Sequence, residues 1–111
     1  NIIKSIKYIR LASPDITLVV SNADKKTYAL EKNKLVSCKP PKINVVNENG
    51  AGDVMAGIYL YFMSKKDSIE KALTLAVAAG ALHAQNKINF SFNSLKKETN
   101  KIILKKEKFD V

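Results

Sequence analysis

The sequence predicts an α/β fold in which short strands and a hairpin are followed by packed helices. Short, β-branched apolar runs lie between residues 16 and 46, and apolar segments of helical length fill much of residues 54–85. The chain has 111 residues, of which 46% are hydrophobic. It is therefore the size of one domain and can bury a core, which excludes disorder throughout.

The first elements are a helix and a strand. Isoleucines recur at helical spacing among lysines from Ile2 onward, which predicts an amphipathic helix to about Leu11. Ser13-Pro14-Asp15 ends that helix. The apolar run Ile16–Val20 then predicts a buried strand, and residues 21–26 a turn.

A hairpin and one more extended segment come next. Residues 27–30 and 34–37 are its two predicted arms, joined by Glu31-Lys32-Asn33. Pro40-Pro41 ends the second arm, because proline cannot donate to a strand ladder. Residues 43–46 predict the further extended segment.

Two apolar helices are predicted after residue 50. The stretch Val54–Met63 is hydrophobic on all sides, which is typical of a helix buried in a larger protein. Asp67, with Glu70 three residues later, predicts the N-cap of a second helix that runs to about Gln85.

A third helix, Leu95–Leu104, is predicted near the end of the chain, with Asn93 or Ser94 as its cap. Its lysines occupy positions that would face solvent.

Several classes of protein are excluded by composition. Apolar runs such as Leu73–Leu82 are too short and too rich in alanine to span a bilayer, and the N-terminal residues lack a signal-peptide layout. Cys38 is the only cysteine, so no intrachain disulfide forms; a small buried hydrophobe is its more common role, and a reducing, cytoplasmic location is expected. The chain does not begin with Met, so we expect a piece of a longer protein or a processed product.

The net charge of +9 raises the question of nucleic-acid binding. The lysines are spread along the whole chain, and the aromatic residues near them are too few to form a stacking platform. Solvated surface is therefore favoured over a nucleic-acid groove, although an anionic small ligand such as a nucleotide remains compatible with the charge.

The segment Asn47–Asp53, between a predicted strand and a predicted helix, carries the chemistry. Gly50 and Gly52 let the backbone approach an anion closely, and the first amides of a helix are free donors at the positive end of its dipole. A carboxylate at Asp53 suits a base that accepts a hydroxyl proton while those amides hold a transferred phosphoryl group. The alternative is a tight turn in which Asp53 only begins a helix.

His83 lies on the second apolar helix. A surface or packing role is favoured over metal binding, because no second His or Cys is spaced to share a metal with it.

The Gly50-Ala51-Gly52-Asp53 segment resembles the D-T-x-G-A-G-D signature of the ribokinase-like (PfkB-type) carbohydrate and nucleoside kinases. Ser68–Ala76 is similar to a helix that follows in that family, and the resemblance covers roughly residues 15–95. The stretch Val46–Ile58 is similar to the V-N-V-T-G-A-G-D-A-M-M-A-G-L of pseudouridine kinases, which makes these the nearest members.

The resemblance implies that residues 1–111 are the C-terminal part of a single kinase domain with a Rossmann-like ribokinase fold. It implies ATP-dependent phosphorylation of a hydroxymethyl group on a sugar or nucleoside, with Asp53 as the general base. The anion hole would comprise the amides of Gly50, Ala51, Gly52 and Asp53. By the same resemblance, Asn49, Ser21, Val77 and Gly80 would contact the nucleotide, with close helix packing as the alternative for the last two.

The chain departs from the family pattern at several positions. Asn47 and Asn49 replace the family's Asp and Thr, and Ser21–Lys26 replaces T-x-G-x-x-G without either glycine, where Lys25 or Lys26 could partly substitute. The family's magnesium-linked N-x-x-E does not occur, so the Mg²⁺ ligands would lie mostly outside this chain, as would the acceptor-binding half.

The chain alone is therefore expected to be inactive, and a homodimer of the full-length protein is compatible with the resemblance. A non-catalytic remnant or binding module of the same fold is the second hypothesis, and a basic nucleic-acid binder is a third and weaker one.

Overall fold

The computed structural model describes residues 1–22, 25–87 and 89–110. Ala23 and Asp24, which belong to the turn predicted at residues 21–26, lie outside the described residues, as do Ile88 and Val111. The elements in chain order are α1 (Ile2–Ala12), β1 (Leu18–Val20), β2 (Thr27–Glu31), β3 (Lys34–Lys39), α2 (Ala51–Ser64), α3 (Ile69–Ala84), α4 (Phe92–Thr99) and β4 (Ile103–Lys108).

The strands form one antiparallel sheet in the order β1-β2-β3-β4. The predicted hairpin is confirmed: Thr27 lies opposite Cys38 and Glu31 opposite Lys34, and Lys32 adopts a positive φ of 54° in the turn. β3 ends at Lys39, directly before the two prolines, as their missing amide donors require.

Helices cover both faces of the sheet, which confirms the α/β class. On one face Ile6 of α1 packs against Leu30, Leu35 and Phe109. On the other face Ala29, Val36 and Cys38 join the core around α3. Successive side chains of a strand point to opposite faces, so the central strands β2 and β3 supply apolar residues to both layers.

Two predictions in the first half need correction. The run Ile16–Val20 was predicted as a buried strand, but the strand begins at Leu18, lies at the edge of the sheet and leaves Val19 39% exposed. Residues 43–46 form no strand; instead the amide of Val46 donates to the carbonyl of Ala84, at the end of α3 (2.8 Å).

The prediction of a helix over Leu95–Leu104 was wrong at both ends. The hydroxyl of Ser91, not Asn93 or Ser94, accepts from a first-turn amide, and α4 ends at Thr99. Ile103–Lys108 instead form β4, which pairs with β3 along its whole length. The lysine-rich sequence has no pattern of its own that selects a strand, so pairing with β3 overrides it.

The N-cap of α3 lies one residue later than predicted. The hydroxyl of Ser68 accepts from the amide of Lys71 (3.2 Å), whereas the carboxylate of Asp67 pairs with the ammonium of Lys71 (3.2 Å). Glu70 does not form the reciprocal bond of a capping box; it accepts from the ammonium of Lys34 on β3 (2.8 Å). That hydrogen bond holds the pKa of Glu70 below its ordinary value and ties α3 to the sheet.

We therefore expect Ser68→Ala to lower the free energy of unfolding by about 1 kcal/mol, since an amide of α3 loses its acceptor. The matched change Asp67→Ala removes one exposed ion pair and should cost less than about 0.5 kcal/mol. Urea denaturation of both variants measures the difference. A larger loss in Asp67→Ala than in Ser68→Ala would show that Asp67, and not Ser68, caps the helix.

α2 packs one side against α3 and leaves the other side open. Val54, Met55 and Ile58 join the core, whereas Leu60 is 66% and Tyr61 54% exposed. Among the described residues, the burial predicted for all sides of this stretch is therefore found on one side only. Among the described residues, no helix is both long and apolar enough to cross a membrane.

Candidate active site

Residues 50–53 form the turn that opens α2, as predicted. Gly50 is the N-cap and adopts a left-handed conformation, with φ of 84° and ψ of −4°. A side chain is strained at such a φ, so glycine suits this position for a conformational reason. Its carbonyl accepts from the amide of Val54 (3.0 Å), which is the first bond of the helix.

The turn leaves amide donors free at the start of α2. The amide of Ala51 donates to the carbonyl of Glu48 (3.2 Å), so it is engaged within the turn. Within residues 1–22, 25–87 and 89–110, the amides of Gly50, Gly52 and Asp53 have no acceptor. Free donors at the positive end of a 14-residue helix suit an anion such as a phosphoryl group.

Asp53 lies in the first turn of α2 and is exposed to solvent. Gly52, beside it, has open space around the position that a Cβ would occupy, with nothing within 4 Å. The carboxylate and the free amides therefore share one accessible end of the helix. This is the arrangement that base-assisted transfer to a hydroxyl requires.

The end of α3 holds the loop that leads into this turn. The carbonyl of Ala84 accepts from the amides of Val46 (2.8 Å) and Asn47 (3.1 Å), and Nε2 of His83 lies 2.7 Å from the carbonyl oxygen of Asn49. Sequence reasoning did not anticipate these contacts. The sequence offers one signal for them: His83 lies three residues after Gly80, and residues three apart share one face of a helix.

Gly80 and Val77 of α3 are packed inside the protein rather than on an open surface. A Cβ on Gly80 would come 3.7 Å from the carbonyl oxygen of Ala51 and 3.8 Å from Cβ of Met55. Val77 is buried in the same core. Close helix packing accounts for both residues in this chain, and their contact with a nucleotide remains a prediction.

The remaining predicted nucleotide residues are not brought together. Asn49 lies in the loop, where its amide donates to Oδ1 of Asn47 (3.0 Å). Ser21 is exposed at the end of β1, and β1 makes no contact with α2 in the described part of the chain. Lys25 and Lys26 are exposed beyond Ser21. A phosphate contact from residues 21–26 therefore remains a prediction.

The expectation that the Mg²⁺ ligands lie mostly outside this chain stays a prediction. Across 1–22, 25–87 and 89–110, no three His, Cys, Asp or Glu side chains are grouped so as to hold a metal ion. Cys38 is fully buried beside the hydroxyl of Thr74 (3.6 Å), and burial raises the pKa of its thiol. Cys38 therefore packs as a small hydrophobe, and its burial disfavours the reactive thiolate form.

Comparison with known proteins identifies the family. The model of the pfkB family of carbohydrate kinases matches residues 6–89, which is more than half of the chain. The chain therefore belongs to the pfkB family of carbohydrate kinases. No curated protein matches the sequence.

Solved structures share the fold. A Staphylococcus aureus structure described as a phosphofructokinase superposes with a TM-score of 0.81 and 24% identity, over 96% of this chain and 35% of its own. Escherichia coli phosphofructokinase-2 gives 0.75 and 22%, over 87% and 32%. A carbohydrate kinase from Agrobacterium tumefaciens gives 0.62 and 24%, over 82% and 32%. The chain thus spans about a third of the length of the structures that it matches.

Proposed function

We propose that this chain is the catalytic-base and anion-hole portion of an ATP-dependent kinase that phosphorylates a hydroxymethyl group of a sugar or nucleoside. The observation that carries the proposal is the Gly50–Asp53 turn, where three amides that find no acceptor among the described residues adjoin an exposed carboxylate in a chain of the pfkB family.

In the proposed reaction, the acceptor hydroxyl attacks the γ-phosphorus of ATP and Asp53 takes the hydroxyl proton. The new bond joins the acceptor oxygen to phosphorus, and the bond between the γ-phosphorus and the β,γ-bridging oxygen breaks, which releases ADP. The free amides of Gly50, Gly52 and Asp53 stabilise negative charge on the transferred group. Mg²⁺, held by ligands mostly outside this chain, would neutralise part of the negative charge of the phosphates.

The acceptor is a sugar, a sugar phosphate or a nucleoside. Phosphofructokinases among the similar structures favour a sugar phosphate, and one of those structures was determined with fructose-6-phosphate. The likeness of Val46–Ile58 to pseudouridine kinases favours a nucleoside. ATP-dependent phosphorylation of fructose-6-phosphate, free sugars and pseudouridine, assayed by mass spectrometry, distinguishes these three kinds of acceptor.

That assay requires a polypeptide that carries these residues together with an acceptor-binding portion. The 111 residues alone are expected to show no turnover, because the N-x-x-E that the resemblance links to magnesium does not occur in them and the acceptor-binding half is expected outside them. Robust ATP turnover that depends on a sugar or nucleoside, by the 111 residues alone, would contradict this expectation.

A non-catalytic remnant of the fold is the second candidate, favoured by the absence of glycine from residues 21–26. It predicts that nucleotide binding survives without transfer to any acceptor, so the same panel decides between the two.

The anion hole can be tested directly through Gly52. We expect Gly52→Ala to weaken binding of inorganic phosphate at least about tenfold, because it adds a methyl group to a residue whose own amide is free, in space that the described residues leave open. The same change should raise the free energy of unfolding by about 0.5–1 kcal/mol, since alanine favours a helix. Amide shifts in a ¹⁵N–¹H spectrum measure binding, and urea denaturation measures stability.

Gly57→Ala is the matched control, because Gly57 also lies in α2 with nothing within 4 Å of an added Cβ. It should raise stability to a similar extent and leave phosphate binding unchanged. Equal phosphate binding by the two variants would show that no anion occupies the turn.

A further inference from the structure

His83 makes a specific contact with the loop before the active-site turn. Its Nε2 lies 2.7 Å from the carbonyl oxygen of Asn49, a residue 34 positions away in the chain. A backbone carbonyl only accepts hydrogen bonds, so Nε2 must carry the proton in this contact. The ring also lies against Gly50, since a Cβ there would be 3.4 Å from Nε2.

The contact bears directly on one of the free amides. The carbonyl of Asn49 and the N–H of Gly50 belong to one peptide unit, which is planar and trans. In a trans peptide these two groups point in opposite directions. A hydrogen bond that fixes the Asn49 oxygen therefore also fixes the direction in which the Gly50 amide points.

The rest of the loop is held by the same turn of α3. The carbonyl of Ala84 accepts from the amides of Val46 and Asn47, and Oδ1 of Asn47 accepts from the amide of Asn49. These bonds fix the start of the loop, and His83 alone of these partners reaches the peptide that adjoins Gly50. Gly50, the N-cap of α2, has no side chain with which to form a capping bond to the helix.

We propose that His83 is a positioning residue for the anion hole: its Nε2–H holds the Asn49 carbonyl and thereby aims the Gly50 amide at the transferred phosphoryl group. This inference rests on the proposed function of the turn. His83 acts through the backbone and does not touch the substrate.

The test compares His83→Gln and His83→Leu with the wild-type chain in a titration with inorganic phosphate, followed by the amide shifts of Gly50, Gly52 and Asp53. Gln carries an amide N–H at a reach similar to that of Nε2, whereas Leu fills the space without a donor. We expect Leu to weaken phosphate binding about 3- to 10-fold, the range of one net hydrogen bond, and Gln to retain most of it. The Gly50 amide should move most between wild type and Leu.

The possible outcomes distinguish the role of His83 from the existence of the anion hole. Wild-type shifts at these amides, with equal affinity in all three proteins, would overturn the role of His83 and leave the anion hole standing. Absence of phosphate shifts in the wild type would overturn the anion hole itself, and with it the role of His83.

A second measurement covers a Leu variant that fails to fold. Long-range ¹⁵N–¹H correlations of the wild-type ring report which nitrogen is protonated, and we expect a proton on Nε2. An unprotonated Nε2 in the neutral ring would remove the donor and overturn the proposal.

Discussion

Asp53→Asn is expected to lower turnover by roughly 100-fold or more in a polypeptide that carries this chain with its acceptor-binding portion, because base catalysis typically contributes about 10²–10⁴. The asparagine amide keeps the size of the side chain and can still hydrogen-bond at the start of α2, but it cannot accept the hydroxyl proton. Nucleotide binding should be nearly unchanged. Steady-state kinetics with the preferred acceptor measures the loss in kcat.

The effect on stability should be small and separable from the effect on rate. Removal of a negative charge from the first turn of an exposed helix costs about 0.3–1 kcal/mol. Asp67→Asn is the matched control, because it removes a carboxylate just before the next helix, where Asp67 pairs with Lys71. It should leave turnover intact. Unchanged turnover in Asp53→Asn would remove Asp53 from the mechanism, and simple unfolding would favour a structural role for the turn.

The centre of the candidate site could be predicted because it depends on local rules. A left-handed N-cap favours glycine, and an acidic residue in the first turn of a helix is favoured by the dipole. Both are visible in the segment Gly50–Asp53 without knowledge of any distant contact. The amides left free by the turn follow from the same rules, apart from that of Ala51, whose acceptor Glu48 depends on the exact turn geometry.

The parts of the fold that were missed depend on contacts between distant residues. β4 is a strand because it pairs with the edge of β3. The residues Ile103–Lys108 by themselves are equally compatible with an exposed helix. The N-cap of α3 was misplaced by one residue because Asp67 and Ser68 are both good cap formers. His83 joins the site only because α2 and α3 pack closely, so its role depends on the separation of two helices.

Gly80 lies in the interface between these two helices. Gly80→Ala should be tolerated, because an added Cβ would meet the carbonyl oxygen of Ala51 at 3.7 Å and Cβ of Met55 at 3.8 Å, which are ordinary contacts. Alanine also favours the helix by up to about 1 kcal/mol over glycine. Gly80→Leu, by contrast, forces further methyl groups into the same interface and should lower the free energy of unfolding by about 1–3 kcal/mol or more. Urea denaturation of the pair measures the contrast.

The larger side chain should also damage the site before the fold is lost. Leucine at position 80 would press on the first turn of α2, at Ala51, while the loop carbonyl of Asn49 remains tied to His83 one turn further along α3. The two helices can separate only by straining that hydrogen bond, so the amide resonances of Gly50 and Gly52 should shift in Gly80→Leu and stay near their wild-type positions in Gly80→Ala. If Gly80→Leu were as stable as Gly80→Ala with unchanged resonances, the start of α2 would not be positioned by its packing against α3.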